Sequence, residues 1–322
     1  MTDDTTVIEL PDPVPLDDSI FGDIDEAELA VADRRVPLTN LQKSFWPGLG
    51  ITKGGLIEYY LRMGDALLPH LHDRAMVMKR YPNGWQGDHF FMKRAPAHRP
   101  DWIETCRIDH RSGNVIDFPM IQDSAALAWV INLGCIDLNQ WYARCDNVNT
   151  PDYLHFDLDP VPGAKWETVF EAALIVRGAL DALGIPSYPK TTGSRGFHVY
   201  VPIVRGTVQK QVWTFAKAFA REQAKKHPDV LTAEYRVKHR PEGRVLVDYN
   251  QNAWGSTLAS VYSVRPRPHA TVSMPLTWDE VEAGATIDDF TLFNAPARVR
   301  EVGDLFGPLL VDDGRIQLED HL

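Results

Sequence analysis

The stretch "YLHFDLDP", residues 153–160, alternates Leu154, Phe156 and Leu158 with His155, Asp157 and Asp159. Alternation of period two marks a strand with one face turned to a core. It puts two carboxylates on the same face, two residues apart. Like charges that close repel, and burial sharpens the repulsion. Two readings stand: a solvated face, or a cation held between the carboxylates. A third acidic group bears on the choice. In "RVLVDYNQN", residues 244–252, Val245, Val247 and Tyr249 share one face and Asp248 lies on the other. A charge in such a strand needs a partner. Asp157, Asp159 and Asp248 together offer hard oxygen ligands suited to Mg²⁺ or Mn²⁺. Two such ions a few ångströms apart serve phosphoryl transfer.

Working outward, "AKWETVFEAALIVRGALDALG" (164–184) has helical spacing and a Gly184 stop. "FHVYVPI" (197–203) reads as a strand, "QVWTFAKAFAREQAKKH" (211–227) as a helix and "RVLVDYN" (244–250) as a strand. Upstream, "TKGGLIEYYLRMGDALLPHL" (52–71) is an amphipathic helix with Thr52 as N-cap. "AMVMKRYPNG" (75–84) and "HFFMKRAP" (89–96) are two strands joined through a turn at Asn83-Gly84. "SAALAWVINLGCIDL" (124–138) is a buried helix running into an extended piece, and "VPLTNLQKSFWP" (36–47) a short helix capped by Thr39 or Asn40. Strands alternating with helices give an α/β (α+β) class with mixed sheets flanked by helices. Residues 1–35, rich in Pro and Asp, read as a mostly disordered tail with a short helix in "DEAELAVADRR". A catalytic domain is expected over 36–300 and an acidic tail over 301–322.

The 322 residues, 44% hydrophobic, suffice for a large core. No apolar run spans a membrane and the acidic N-terminus is no secretory signal. Three cysteines without a CxxC pair suit a reducing cytoplasm and argue against structural zinc. The net charge of −11 is uneven: residues 1–36 carry −9 and 301–322 carry −5, leaving +3 on the body. A mildly basic body is compatible with a phosphate-binding groove.

Basic and aromatic residues interleave around that body. Lys79 and Arg80 precede Tyr81, and Phe90 and Phe91 precede Lys93 and Arg94. Phosphate wants charge and bases want a flat apolar surface. Successive strand residues face opposite ways, so one phenylalanine is expected in the core and the other against a base. In "TTGSRGFHVYVP" (191–202), Gly193 and Gly196 let backbone N–H groups approach an anion, and Ser194, Arg195 and His198 add donors; an ordinary hairpin turn reads equally well. Lys43 and Lys53 come together if the chain between them folds back.

In order, "MKRYPNG", "FFMKRAP", "FDLDP", "TGSRGFHVYVP", "VDYNQN" and "YSVRPRP" resemble the motifs of the polymerase domain of bacterial ligase D, in the archaeo-eukaryotic primase superfamily. The resemblance covers roughly residues 36–281, and is to members without an attached ligase or phosphoesterase domain. It implies a primase-polymerase fold with a central catalytic cleft. It implies that Asp157, Asp159 and Asp248 bind two Mn²⁺ or Mg²⁺ ions. Ser194, Arg195, His198 and Arg265 match triphosphate contacts, with Arg195 where the family often has Lys. Lys79 and Arg80 match basic residues near the incoming nucleotide, and Phe90 and Phe91 the pair against its base. Lys43 and Lys53 match lysines that hold a downstream 5′-phosphate. Asn139 stands where ligase-linked members usually have His, a role altered here or passed to His155.

The implied activity is template-dependent nucleotide addition to a primer across short gaps or at broken DNA ends, with ribonucleotides accepted. Implied partners are gapped or broken duplex DNA with a 5′-phosphate, NTP or dNTP, and Ku or a separate DNA ligase. The implied setting is a bacterial cytoplasm, at the nucleoid. Two rival classes remain. A haloacid-dehalogenase-like phosphatase also begins with "FDLD", but Pro160 follows here where that class usually has Gly and then Thr or Val. A non-catalytic DNA-gap or end-binding module lacks any need for three carboxylates. Nucleotide incorporation on a primed, gapped template separates these readings.

Overall fold

The computed structural model describes residues 6–110 and 112–321. In chain order its strands and helices are β1 (Val7–Glu9), β2 (Ala27–Val31), β3 (Arg34–Leu38), β4 (Ser44–Trp46), β5 (Ile51–Thr52), α1 (Lys53–Arg62), α2 (Gly64–Leu71), β6 (Met76–Arg80), β7 (Phe90–Met92), β8 (Thr105–Asp109), β9 (Val115–Pro119), α3 (Ser124–Asn132) and β10 (Cys135–Gln140). There follow β11 (Tyr153–Pro160), α4 (Trp166–Asp181), β12 (Tyr188–Thr191), β13 (Phe197–Pro202), α5 (Gln209–Lys226), β14 (Leu231–Thr232), β15 (Val245–Asp248), α6 (Trp278–Glu282) and α7 (Ala295–Val302). The class is mixed α/β with several small sheets.

The chain divides into two compact units. Unit 1 comprises Met1–Gln140, Tyr262–Thr271 and Thr291–Gly303; unit 2 comprises Trp141–Val261, Val272–Phe290 and Asp304–Leu322. This differs from one domain over 36–300 between two tails. Residues 1–5 of the expected disordered tail lie outside the described residues. The rest of it is structured: β2 and β3 form an antiparallel hairpin and β1 pairs parallel to β2. The segment read as a short helix is this hairpin. Ala27, Leu29, Ala30, Val36 and Leu38 are buried in it, and their burial outweighs the surrounding acidic charge. The C-terminal segment is also packed. Ile316 exchanges backbone hydrogen bonds with the end of β13, and Phe306, Leu309 and Leu318 are buried.

In unit 1, Thr52 caps α1 as expected, accepting from the Gly55 N–H at 3.1 Å. The expected helix before Pro47 is instead β4, which pairs antiparallel with β5. A short sheet runs in the order β10-β6-β7. In unit 2 a five-stranded sheet runs in the order β12-β13-β11-β15-β14, antiparallel except for β14 beside β15. Its apolar face, with Phe156, Leu158, Phe197 and Val247, is covered by helices. Phe156 packs 4.6 Å from Phe219 of α5, and Phe197 lies 5.1 Å from Trp166 of α4. β11 is therefore buried on one face by a helix layer, and its other face carries the polar residues.

Candidate active site

A row of polar side chains crosses the sheet of unit 2. Lys190 of β12 is registered with His198 of β13, His198 with Asp157 of β11, and Asp157 with Asp248 of β15. Asp159 stands on the same face two residues along β11. Burial first, then the charge of Asp157, pushes both Asp159 and Asp248 above the ordinary carboxylate value; Arg195 and Arg240 pull Asp159 back, and the Asn250 N–H and Arg240 pull Asp248 back.

Each carboxylate already has protein partners. Arg195 Nη2 donates to Oδ1 and Oδ2 of Asp159 at 2.9 and 3.1 Å. His198 Nε2 lies 3.3 Å from Asp157 Oδ1. Asp248 accepts from the Asn250 N–H at 2.9 Å and from Gln251 Nε2 at 3.4 Å. With the side chains turned this way, no three His, Cys, Asp or Glu groups among the described residues gather as a metal-holding set. The donor chemistry nevertheless fits a hard divalent cation: oxygen ligands, partly buried and mutually repelling, with a guanidinium supplying the positive charge at Asp159.

The turn before β13 differs from an open anion cradle. The N–H groups of Ser194, Arg195 and Gly196 all donate to Thr192 Oγ1, at 3.0, 3.0 and 3.1 Å. The backbone donors are thus directed onto a hydroxyl of the turn itself. Gly196 is required for a separate reason, since a Cβ there would sit 1.9 Å from Leu158 O. Its absence lets β13 close on β11 and align His198 with Asp157.

His155 shares the polar face but is fully buried, with neither ring nitrogen hydrogen-bonded. Burial, then the charges of His198 and Lys190, holds it neutral, well below the ordinary histidine value. Its ring lies 4.4 Å from Tyr142 and 5.4 Å from Tyr200. The wet-face reading of this strand therefore fails at His155.

Three residues of this site escaped the sequence reading. Lys190 is fully buried, with Nζ donating to Ala259 O at 3.2 Å and to Ser273 Oγ. Tyr142 is buried too, and its hydroxyl is pushed well up by burial and then by Tyr200, Tyr153, Asp157 and Asp248. Asn252 binds the backbone of His155 from both sides, accepting from its N–H at 3.1 Å and donating to its O at 2.7 Å. Those paired bonds carry the β11–β15 pairing past the 3₁₀ turn Asn250–Asn252 and fix Asp248 against Asp157. The clustered amides of "NQN" after Asp248 were the available signal; a lysine between Pro189 and Thr191 carries none.

Unit 1 holds a second row. Asp137 of β10 is registered with Lys79 of β6, and Lys79 with Phe91 of β7. Lys79 Nζ lies 3.9 Å from Asp137 Oδ2 and 5.6 Å from the Phe91 ring centre. Arg265 Nε lies 3.3 Å from Asp137 Oδ1. Arg80 and Phe90 face the other way, with the guanidinium 5.2 Å from the ring centre. Each aromatic ring is thus paired across strands with a cation. The expectation that one phenylalanine is core is overturned, because Phe90 is 45% and Phe91 58% exposed. The reason is that β7 is a three-residue edge strand, and its rings are flanked by cationic side chains from β6 with no core layer over them. Asn139, nearly buried, donates through Nδ2 to Asp137 O at 3.1 Å.

The β4–β5 pairing brings Lys43 and Lys53 together: the Lys53 N–H donates to Lys43 O at 2.8 Å. Lys43 is exposed, with Nζ on Asn83 Oδ1 at 3.0 Å. Lys53 is buried, with Nζ on Asn132 O at 2.9 Å. Burial first, then repulsion by Lys43, pushes the Lys53 ammonium down to about 8; Asp25 opposes this and Arg80 adds to it. Arg80 therefore belongs electrostatically with these lysines, on the sheet face away from Lys79.

No helix among the described residues is long and apolar enough to cross a membrane. A family model described as the LigD primase-polymerase domain matches residues 52–306. The multifunctional non-homologous end joining protein LigD of Mycolicibacterium smegmatis is 33% identical over 280 residues, 86% of this chain and 36% of that protein. The corresponding DNA repair protein of Mycobacterium tuberculosis is 31% identical over 291 residues, 88% of this chain and 38% of that protein. The chain thus spans little more than a third of the length of these relatives. A solved polymerase domain of Mycobacterium tuberculosis ligase D in complex with DNA matches with a TM-score of 0.81 and 29% identity, covering 87% of this chain and 99% of that one.

Proposed function

This chain belongs to the family of LigD primase-polymerase domains, metal-dependent enzymes of the nucleotidyltransferase type, and from that premise we propose that it extends a primer on a DNA template, across short gaps or at broken ends carrying a 5′-phosphate. The observation that carries the reading is the register of Asp157 opposite Asp248, with Asp159 on the same face. Protein folds avoid opposing carboxylates in a partly buried sheet unless a cation is to be held there. Asp157, Asp159 and Asp248 would hold two Mn²⁺ or Mg²⁺ ions, which supply activation of the primer hydroxyl and neutralisation of the charge that builds on the leaving phosphate.

The chain's own residues prepare the reactants. Asn252 and Gly196 hold the strands that carry the carboxylates in register. Ser194, Arg195 and His198 would contact the triphosphate, with the Arg195 guanidinium, now on Asp159, free to turn to phosphate if that carboxylate held a cation. Lys79, Phe91 and Arg265 receive the incoming nucleotide, with Arg80 and Phe90 on the opposite face of the same strands. Lys43 and Lys53 hold the 5′-phosphate on the far side of a gap. NTPs are accepted with a modest preference over dNTPs, and Ku or a separate ligase completes repair.

The test is single-nucleotide extension of a primer on gapped DNA with Mn²⁺ or Mg²⁺, wild type against Asp159→Ala. Extension by the wild type and none by a soluble variant is expected. Near-normal extension by the variant removes the carboxylate assignment.

A further inference from the structure

The sequence and its resemblance gave Asp137 no role, yet it lies at the centre of the unit 1 row. Its side chain is only 2% exposed. It is flanked by two cations assigned above to the incoming nucleotide, Lys79 Nζ at 3.9 Å and Arg265 Nε at 3.3 Å, each 19% exposed. A carboxylate placed beside phosphate-binding cations works against anion binding by charge alone. Its burial removes it from direct contact with a ligand, so any influence passes through the two cations. Two cations facing the same site repel each other, and both long side chains lose rotamer freedom when ordered. A buried carboxylate between them removes the repulsion and fixes both directions before a ligand arrives. The strand register places it there, since Asp137 is aligned with Lys79 and Lys79 with Phe91.

We infer that Asp137 is a positioning residue: it pre-orients Lys79 and Arg265 so that a nucleoside triphosphate meets two fixed cations beside the Phe91 ring. The inference rests on the nucleotide role assigned to those cations under the proposed function. Preorganisation of this kind acts on ligand binding, because the ordering cost is met before the ligand arrives. The charge of Asp137 also matters for Lys79 itself. Burial pushes the Lys79 ammonium down, Asp137 holds it up, and Arg265 and Arg267 push it down again. The groups facing Lys79 are Asp137 on β10, Arg265 and Arg267 on the 262–271 segment, Tyr81 just past β6, and the uncharged Phe91 on β7.

The experiment is steady-state single-nucleotide extension on gapped DNA with Asp137→Asn, Asp137→Glu, Lys79→Ala, Arg265→Ala and the double variant Asp137→Asn/Lys79→Ala, with thermal melting of each. Asp137→Asn should raise the KM for nucleotide by about tenfold, the scale of one lost charge-assisted contact, with a smaller change in kcat. Its KM should climb at lower pH than that of the wild type, because Lys79 loses its proton earlier. Asp137→Glu should recover most of the affinity, and the double variant should fall short of additivity, since Asp137 acts through Lys79. If Lys79→Ala and Arg265→Ala leave KM unchanged, the nucleotide reading of this site falls and the inference with it. If those two raise KM while Asp137→Asn does not, only the inference is overturned. Should Asp137→Asn fail to fold, Asp137→Ser, which also removes the charge, decides: a KM raised towards that of Lys79→Ala supports the inference, and a KM near wild type overturns it.

Discussion

In unit 1 the row Asp137–Lys79–Phe91 sets a carboxylate against an ammonium and the ammonium against a ring. In unit 2 the row His198–Asp157–Asp248 sets a carboxylate against a carboxylate. The first row is compensated within the protein. The second is in conflict with itself: burial first, and then the charge of Asp157, pushes Asp159 and Asp248 up. A compensated row can stand preformed. A row of like charges costs stability until a cation arrives, so the electrostatic strain marks where one is needed.

The strongest way to break this comparison is Asp157→Asn. The folded values of Asp159 and Asp248 lie above their unfolded values, so between the two values the fold holds protons that the unfolded chain has released. Each carboxylate therefore weakens the fold as pH rises through that window, and at pH 7 the cost is fully expressed. Removing the charge of Asp157 relieves its share of both shifts and leaves the larger share that comes from burial. Nucleotide addition should drop about a thousandfold or more, while melting at pH 7 should be no lower than in the wild type. A variant that loses activity only because it melts early would show that the row is structural.

Gly196→Ala sharpens the same row from its backbone side. The added Cβ meets the carbonyl of Leu158, which cannot move aside as a side chain can. The expected loss is about 3 kcal/mol or more of stability, read by denaturant unfolding. Wild-type stability would mean that β13 does not close on β11 here.

Lys53 tests the basic unit through pH. Its folded value near 8 lies below the unfolded 10.5, so the fold gains stability as pH rises between them, and the charged form needed for phosphate is lost over the same range. Gapped DNA with a 5′-phosphate should bind roughly ten- to a hundredfold tighter than DNA without it at pH 7, the scale of a hydrogen bond to a charged group. The preference should shrink above pH 8 and vanish in Lys43→Ala/Lys53→Ala. Equal affinity for both DNAs at pH 7 removes the role.

The smallest effect is expected at Phe91. Because the ring is exposed, Phe91→Ala should melt like the wild type. Loss of a base stack worth about 1–3 kcal/mol should raise the nucleotide requirement by roughly one to two powers of ten at most. Phe90→Ala, on the other face, should change nucleotide use less. Equal effects of the two variants would erase the distinction between the faces.

Part of this was legible in one dimension because it depends on period and local chemistry. The alternation in "YLHFDLDP" placed Asp157 and Asp159 on one face, "RVLVDYN" gave Asp248 a polar face, and Thr52 announced its cap. The N-terminal hairpin was hidden because its acidic composition reads as disorder, while the apolar positions that fold it have their partners elsewhere in the chain. The fate of Phe90 and Phe91 was misread because period two says that neighbours part but not whether a layer covers either side.

By itself the sequence determined the strands and helices around the carboxylates, β11, α4, β13, α5 and β15, the three carboxylates and their faces, and the order of motifs that shows the family. These follow from steric and hydrophobic preferences acting over a few residues. Only the tertiary structure decided which residues stand in line across strands: Lys190 with His198, Asp157 with Asp248, Asp137 with Lys79. Register between strands distant in sequence is set by turns, bulges and close approaches such as Gly196 against Leu158, and a one-residue slip would send every one of these charges to the opposite face.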